Sequence, residues 1–413
     1  MNCLLVNTYD TRGGAARAAY RLHTGLRGIG VESNMLVQVK YSQDPCVVGP
    51  GGKLARSVGR LRSCLDRLPL QVYRRRKGIW GLSWLPGKTL DRIHRLNPDV
   101  VHLHWIGDGF LPVADLARLN RPVVWTLHDS WAFTGGCHIP YECTGYRDSC
   151  RACSLLGSVC REGIPHWVWS RKNRHWQGLN LTVVAPSRWL AGCAGVSSLF
   201  KDVRVEVIPN GLDLGLFSPA GKGSAREALG LPQDKKIILF GSVNSTTDPN
   251  KGFHFLREAA ELLAKRGWAG KVELAVFGSS RPDSFPHLGL KTRFLGSIND
   301  DTRLVLLYSS ADVLVAPSIQ ENLSSTVMEA MACGTPCVAF DIGGMADLID
   351  HGHNGYLASP FQVEELAEGI EWVISDLNRR FILSEASVEK VRREFSLENM
   401  VHRYLSIYYD VLR

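Results

Sequence analysis

Short apolar runs alternate with stretches of helical period through most of this 413-residue chain. In the first half the strand-like runs are "CLLVNTY", "SNMLVQ", "DVVHLHW", "PVVWTLH", "LTVVAPS" and "VRVEVIP". Several are almost continuously apolar, the pattern of strands in a parallel sheet covered on both faces. Around Pro209 the alternation stops at "IPNGLDLGLFSPAGKGS", rich in Gly, Pro and Ser and without a periodic apolar face, which predicts a linker. It resumes with "KKIILFGS", the helical "GFHFLREAAELLAKRG", "KVELAVFGS", "RFLGSI", the helical "DTRLVLLYSSA", "DVLVAPS", the helical "SSTVMEAMACG" and "PCVAF". Strand, helix and strand repeated in both halves predict an α/β fold of two doubly wound domains. The division falls at 1–212 and 213–394, followed by a helix over 395–413 that is expected to cross back onto the first domain. In that helix Met400, Val401, Tyr404, Leu405, Tyr408 and Leu412 form one stripe. The length agrees with two cores rather than one.

The opening "MNCLLVNTYDTRGG" has no basic segment and only a short apolar run, so it reads as a buried strand and not as a signal peptide. No apolar run approaches the roughly 20 residues of a membrane helix. Both observations predict work in the cytoplasm. The formal net charge is +8, unevenly placed: Lys53 to Lys77 holds nine Lys or Arg residues and one acid, Asp66. With Trp80 and Trp84 beside the cations, the segment 53–84 suits the anionic inner face of a membrane. A solvated basic surface is the plain alternative. Nucleic acid is disfavoured, because no zinc-finger, homeodomain or RNA-binding signature accompanies the charge.

Five stretches could carry chemistry. In "TRGGAARAAYRLHTGL", Gly13 and Gly14 allow a tight strand-to-helix turn whose following helix offers free N–H groups to a phosphate. In "FGSVNSTTDPNKGFHFLREA", Lys251 sits at the mouth of a helix, at the sheet edge where such folds bind ligands, and could offset a diphosphate. In "SIQENLSSTVMEAMACG", Glu321 lies in a loop and Glu329 in a helix. Were the whole stretch helical, they would stand about 12 Å apart along the axis and roughly 80° around it. That disfavours a hydrolytic carboxyl pair, which needs about 5 to 9.5 Å, and suits two grips on one elongated ligand. Ser324 and Ser325 lie at the helix start, where N–H groups can take negative charge. His128 follows a buried strand in "VVWTLHDSWAFTGGCH". Each of these also has an ordinary reading as a turn, a solvated lysine, surface glutamates or a core histidine.

The fifth stretch is "CHIPYECTGYRDSCRACSLLGSVC". Cys137, Cys143, Cys150 and Cys153 have a spacing that ends in C-x-x-C, a common half of a structural zinc site. Zinc held by four thiolates leaves no place for water, so it would brace a loop rather than catalyse. Free thiols and disulfides remain the other readings, the latter disfavoured in a reducing compartment, and His138 or Cys160 could replace one ligand.

Taken in order, "GGAARAAYRLHTGL", "HLHWIGDGFL", "TLHDSWAFTGGCH", "VAPSRWLA", "VIPNGLDLGLFSP", "NKGFHFL", "FLGSIND" and "APSIQENLSSTVMEAMACGTPCVAFDIGGMADLIDHGHNGYL" resemble the retaining glycosyltransferases of family four. The resemblance is to their polysaccharide and colanic-acid-type branch. It implies the GT-B fold, with two Rossmann-like domains facing across a cleft that holds a nucleoside diphosphate sugar. By position it implies that Glu321 contacts the transferred sugar, with the backbone of Asn322, Leu323 and Ser324 on sugar and diphosphate. Lys251 would offset the diphosphate, Glu329 bind the ribose, and Ser297 and Ile298 meet the base. Gly14, beside Gly13, would close over the phosphates, and His128 would reach the sugar. Two positions depart from the family pattern. Ser242 stands where an Arg is common, and Glu321-Asn322-Leu323-Ser324 replaces the common E-G-F-G. The implied reaction is hexose transfer to a saccharide or polyprenyl-linked acceptor at the inner membrane surface, without a catalytic metal. The rivals are a nucleotide-sugar epimerase or hydrolase of the same architecture, and a non-catalytic scaffold.

Overall fold

The computed structural model describes residues 1–50, 53–242, 245–280, 288–298 and 300–413, without the side chains of residues 53–56 and 60. Two compact units result: Met1–Gly211 with Glu398–Arg413, and Leu212–Leu397. The sequence division had its edges at 212/213 and 394/395.

In the first unit the strands are β1 (Asn2–Tyr9), β2 (Glu32–Val39), β3 (Val47–Val48), β4 (Val100–Leu103), β5 (Val123–Thr126), β6 (Leu181–Ala185) and β7 (Arg204–Val207). They form one parallel sheet in the order β3-β2-β1-β4-β5-β6-β7. The continuous apolar runs are the central strands, buried along their length: β4, β5 and β6 have no exposed position. The helices are α1 (Gly14–Gly28), α2 (Lys53–Asp66), α3 (Thr89–Leu96), α4 (Ile164–Trp176) and α5 (Arg188–Gly195).

The second unit repeats the plan. Its strands are β8 (Lys236–Gly241), β9 (Val272–Phe277), β10 (Lys291–Phe294), β11 (Val313–Ala316), β12 (Cys337–Phe340) and β13 (Gly355–Ala358), in the parallel order β10-β9-β8-β11-β12-β13. Its helices are α6 (Lys222–Ala228), α7 (Phe253–Leu263), α8 (Asp301–Ser310), α9 (Ser325–Ala332), α10 (Met345–Leu348), α11 (Val363–Ser375) and α12 (Leu377–Glu394), and α13 (Leu397–Val411) returns to the first unit. In each sheet the strand order reverses once, between β1 and β4 and between β8 and β11, and the loops leaving those strands are where ligands bind in such sheets.

Three expectations are corrected. The segment after Pro209 is not a bare linker: Leu212 and Phe217 are buried in the second core and α6 begins at Lys222. Two isolated apolar residues anchor it, so no period shows. In the last helix Ile407 is buried whereas Leu412 is exposed, shifting the stripe to Met400, Val401, Tyr404, Ile407 and Tyr408. The tryptophans of segment 53–84 do not face outward. Trp80 is buried with its indole N–H on the Lys77 carbonyl at 2.9 Å, and the Trp84 indole donates to the Asp66 carbonyl at 3.2 Å. Of the cations in that segment, Lys53, Arg56 and Arg60 lie outside the described side chains.

Candidate functional site

The second unit places a polar cluster where its sheet reverses. Gly252 ends the loop after β8 with φ +69°, and a Cβ there would stand 1.8 Å from the Pro317 carbonyl oxygen, so only glycine lets the two loops touch. Asn250 then links them: its backbone carbonyl accepts from Ile319 at 2.9 Å, and its amide donates to the Gln320 carbonyl at 2.8 Å. This puts the Lys251 ammonium 2.9 Å from Glu321 Oε2, with the Ser318 hydroxyl 3.3 Å from the same oxygen. The Glu321 charge raises the Lys251 pKa, so the site keeps a fixed cation.

On the other side of Glu321, Gly343 has φ +55°, and a Cβ there would stand 2.0 Å from the Glu321 carbonyl oxygen. The Gly344 N–H donates to that oxygen at 3.1 Å. Asn322 and Leu323, standing where the family has glycine and phenylalanine, do not have positive φ. Leu323 packs into the core and Ser324 caps α9, accepting from the Val327 N–H at 3.4 Å. The loop therefore adopts a form that needs no glycine.

Glu329 is buried within α9 and accepts from the Tyr308 hydroxyl at 2.9 Å. The two glutamates have separate partners, as their spacing implied. Ser297 and Ile298 stand past β10, after Gly296 at φ +69°. Sequence reasoning missed Asn250, Ser318, Tyr308 and Gly343, whose roles depend on contacts between distant segments.

In the first unit, Gly13 caps α1 at φ +97°, and a Cβ on Gly13 or Gly14 would meet nothing within 4 Å, which leaves open space above the turn. His128 follows β5. Its Nε2 lies 3.0 Å from His104 Nδ1, and the His104 and His102 rings are 4.2 Å apart. His102 is held from both nitrogens, by the Tyr408 hydroxyl at 2.6 Å and by Thr126 Oγ1 at 2.8 Å, and Thr126 meets Tyr404 at 2.7 Å. Burial lowers the pKa of His102 to about 3 and of His128 to about 4, so both rings are neutral at pH 7. The adjoining wall is a second network, in which Asp129 Oδ2 lies 2.7 Å from His138 Nδ1 and accepts from the Trp105 indole at 2.8 Å. A small cavity is lined by His104, Trp105, His128, Asp129 and His138. The "HLHW" stretch held the signal for the histidine row, because residues two apart on a strand share a face.

Cys137, Cys143, Cys150 and Cys153 line a single cavity of about 20 Å³, and all cysteines of the chain are free thiols. Among the described residues, no group of three or more His, Cys, Asp or Glu side chains is arranged to hold a metal ion as it stands.

Residues 12–216 match the model of glycosyltransferase family 4, and residues 222–390 that of glycosyl transferases group 1. Over 203 residues the chain is 33% identical to D-inositol 3-phosphate glycosyltransferase 2 of Catenulispora acidiphila, covering 46% of this chain and 47% of that protein. The chain spans about half the length of the curated relatives it matches. Sucrose-phosphate synthase from Thermosynechococcus elongatus superposes with a TM-score of 0.69 at 19% identity, over 100% of this chain and 99% of that one. HepE of Anabaena, in complex with UDP and glucose, gives 0.66 at 18% identity over 98% and 99%. At these identities the structural likeness is one of fold. One family match covers most of each unit, the two follow in chain order, and the architecture agrees, so the chain belongs to the family 4, group 1 glycosyltransferases with the GT-B fold.

Proposed function

We propose that the protein transfers a hexose from a nucleoside diphosphate sugar to a lipid-linked saccharide, with retention at the anomeric carbon, in the assembly of an exopolysaccharide, capsule or O-antigen. The observation that carries this reading is the Lys251–Glu321 pair at the β8/β11 reversal, 2.9 Å apart on two interlocked loops beside the start of α9. A fixed ammonium next to a carboxylate and a helix N-terminus suits a ligand that is anionic at its diphosphate and hydroxyl-rich at its sugar. Lys251 takes the phosphate charge when the donor enters, and Glu321 turns to the sugar hydroxyls. HepE, of the same fold, is crystallised with UDP and glucose. Glu329 serves the ribose, and Ser297 and Ile298 the base.

In the reaction the bond from the anomeric carbon to the phosphate oxygen breaks with its electron pair on the diphosphate. The acceptor hydroxyl bonds to the same face of that carbon, and its proton passes to the leaving phosphate. The chain contributes position and charge, with Lys251 and helix N-termini in place of a metal.

For the acceptor, α2 offers a membrane-facing surface. Gly59, Arg62 and Asp66 lie on its inner side: Arg62 donates to the Gly109 and Leu85 carbonyls, and Asp66 accepts from the Leu82 N–H at 2.9 Å. Val58, Leu61 and Leu65 are turned outward, Leu61 being 57% exposed, and Leu68 and Val72 extend the stripe to 75% exposure beside the exposed Arg74, Arg75, Arg76 and Lys77. Apolar residues flanked by cations fit an anionic bilayer surface, which supports work on the cytoplasmic face of the plasma membrane.

The test is to incubate the protein with UDP-, GDP- and ADP-hexoses and a lipid-linked saccharide extract. Release of nucleoside diphosphate that requires the acceptor, with an unchanged anomeric configuration by NMR, is expected. Release as fast without acceptor would indicate a hydrolase or epimerase and overturn transfer, and an inverted product would overturn retention.

A further inference from the structure

The cysteine loop is the largest stretch of chemistry that the donor and acceptor groups leave unused. From Cys137, which bridges Trp80, to Cys160 it holds two 3-10 turns, Gly145–Arg147 and Ser154–Leu156, so backbone ladders do little to fix it. What orders it is packing around one small cavity, walled by four sulfurs together with Trp80 and Pro165. At about 20 Å³ the cavity admits one guest the size of a water or an ion.

The surroundings are built to receive sulfur that carries charge. Cys150 Sγ accepts from the Gly135 N–H at 3.0 Å, and the Cys153 carbonyl accepts from the Leu156 and Ser158 N–H groups at 3.3 and 3.0 Å, which closes the turn behind the second cysteine. An N–H donor turned onto the first cysteine of the C-x-x-C is what a metal-bound thiolate needs from its surroundings. Gly135 lies so near that a Cβ would come within 2.7 Å of Cys150 Cβ, which holds this donor against the sulfur. Cys150 and Ala152 adopt φ +50° and +51°, a costly conformation for side chains other than glycine, and it folds the C-x-x-C into a tight knuckle.

A buried cation completes the setting. Lys172 of α4 is fully buried, donating to the Trp131 carbonyl and, at 3.0 Å, to the Thr134 carbonyl, and its ammonium lies 3.7 Å from the Trp131 ring centroid. Among the described residues no carboxylate lies within ion-pair distance of it; burial lowers its pKa to about 7, against which Cys150, Cys137 and the more distant Asp129 act. A buried ammonium without a paired anion is expensive, and four zinc-bound thiolates would supply a net charge of about −2 beside it.

We propose that Cys137, Cys143, Cys150 and Cys153 bind one zinc ion that braces this loop. The four thiols release their protons to solvent as the metal binds, and the metal draws the sulfurs inward to about 2.3 Å. Beyond the bridge at Cys137 the loop has no ladder bonds and its side chains can turn about χ1, so the sulfurs reach the metal although among the described residues no group is arranged for it beforehand. The brace reaches the first-unit pocket directly. Cys137 precedes His138, whose ring pairs with Asp129, and the Thr134 hydroxyl donates to the Cys137 carbonyl at 2.7 Å.

Elemental analysis of the full chain, purified without chelator, is expected to show about one zinc per chain. Cobalt added to the metal-depleted protein is expected to give the thiolate-to-cobalt charge-transfer bands and intense visible absorption of a tetrahedral sulfur site. Cys143→Ser with Cys153→Ser should abolish both. Should that variant fail to fold, native-state alkylation of the wild type decides. Cys64 and Cys160, which are exposed, should react at once, and the four ligands only after chelation. No zinc above background together with no cobalt spectrum would overturn the proposal, as would disulfides among these cysteines in the non-reduced protein. Equal zinc content in a folded double variant would overturn the ligand assignment.

Discussion

Lowering the pH from 7 to 5 should weaken the first unit through its buried histidines. His102 is fully buried between Tyr408 and Thr126, and burial holds its pKa at about 3, whereas a histidine in the unfolded chain titrates near 6.5. The folded value lies below the unfolded one. Stability from this ring is therefore complete above pH 6.5 and is lost as the pH falls from there toward 3. At pH 5, about 1.5 pH units below the unfolded pKa, the loss is about 2 kcal/mol at 1.36 kcal/mol per unit. His104, buried against His102, is shifted in the same direction by the same desolvation, and His128 adds a further loss of the same sign. A unit with a typical stability of about 5–15 kcal/mol would feel such a loss strongly. Urea melts followed by tryptophan fluorescence report this unit selectively, because nine of the 11 Trp residues lie in it. With a urea slope of roughly 3 kcal/mol per M, His102 alone should move the midpoint by about 0.7 M. His102→Gln removes the titrating ring, so the difference between pH 7 and pH 5 should shrink by that amount. A wild-type midpoint that does not change between the two pH values would refute the reasoning, and so would an equal change in the variant.

Three further outcomes follow from single contacts. Gly343→Ala should displace the Glu321 loop, since its Cβ would meet the Glu321 carbonyl at 2.0 Å in a left-handed backbone. Activity should fall at least tenfold, with a stability cost on the order of 1–3 kcal/mol, readable by turnover and melting of the purified variant. Tyr308→Phe removes a hydroxyl that donates to the buried Glu329 at 2.9 Å, and thermal melting should register a loss of about 1–3 kcal/mol. Leu61→Glu combined with Val72→Glu reverses the outward stripe of α2 and its continuation. Flotation with vesicles containing anionic lipid should drop sharply, while donor binding is unchanged; undiminished flotation would remove α2 as the membrane surface.

The two sheets were legible because parallel strands covered on both faces must be apolar along their whole length, and β4, β5, β6 and β12 show that directly in the sequence. What period could not show was burial by isolated residues, such as Leu212 and Phe217 in the segment that resembled a linker. Trp80 and Trp84 misled for a related reason. Their indole N–H groups are bonded within the fold, to Lys77 and Asp66, and a tryptophan beside arginines looks the same in sequence whether it faces a bilayer or a core. In the candidate site, local rules located Gly13–Gly14, Lys251 and the start of α9, because each sits at a strand end before a helix. The pairing of Lys251 with Glu321 spans 70 positions, and that of His102 with Tyr408 spans 306. Such contacts are fixed by the strand order, which no local pattern encodes; the family resemblance assigned Lys251 and Glu321 to one ligand without pairing them, and implied nothing of the second contact.

The central claim is that the second unit grips a nucleoside diphosphate through Lys251. Calorimetric titration of the full chain with UDP, GDP and ADP, repeated on Lys251→Ala, tests it most directly. At least one of the three should bind the wild type, and the substitution should weaken that binding by at least tenfold, about 1.4 kcal/mol or more. Failure of all three to bind, or binding of equal strength to both proteins, would contradict it.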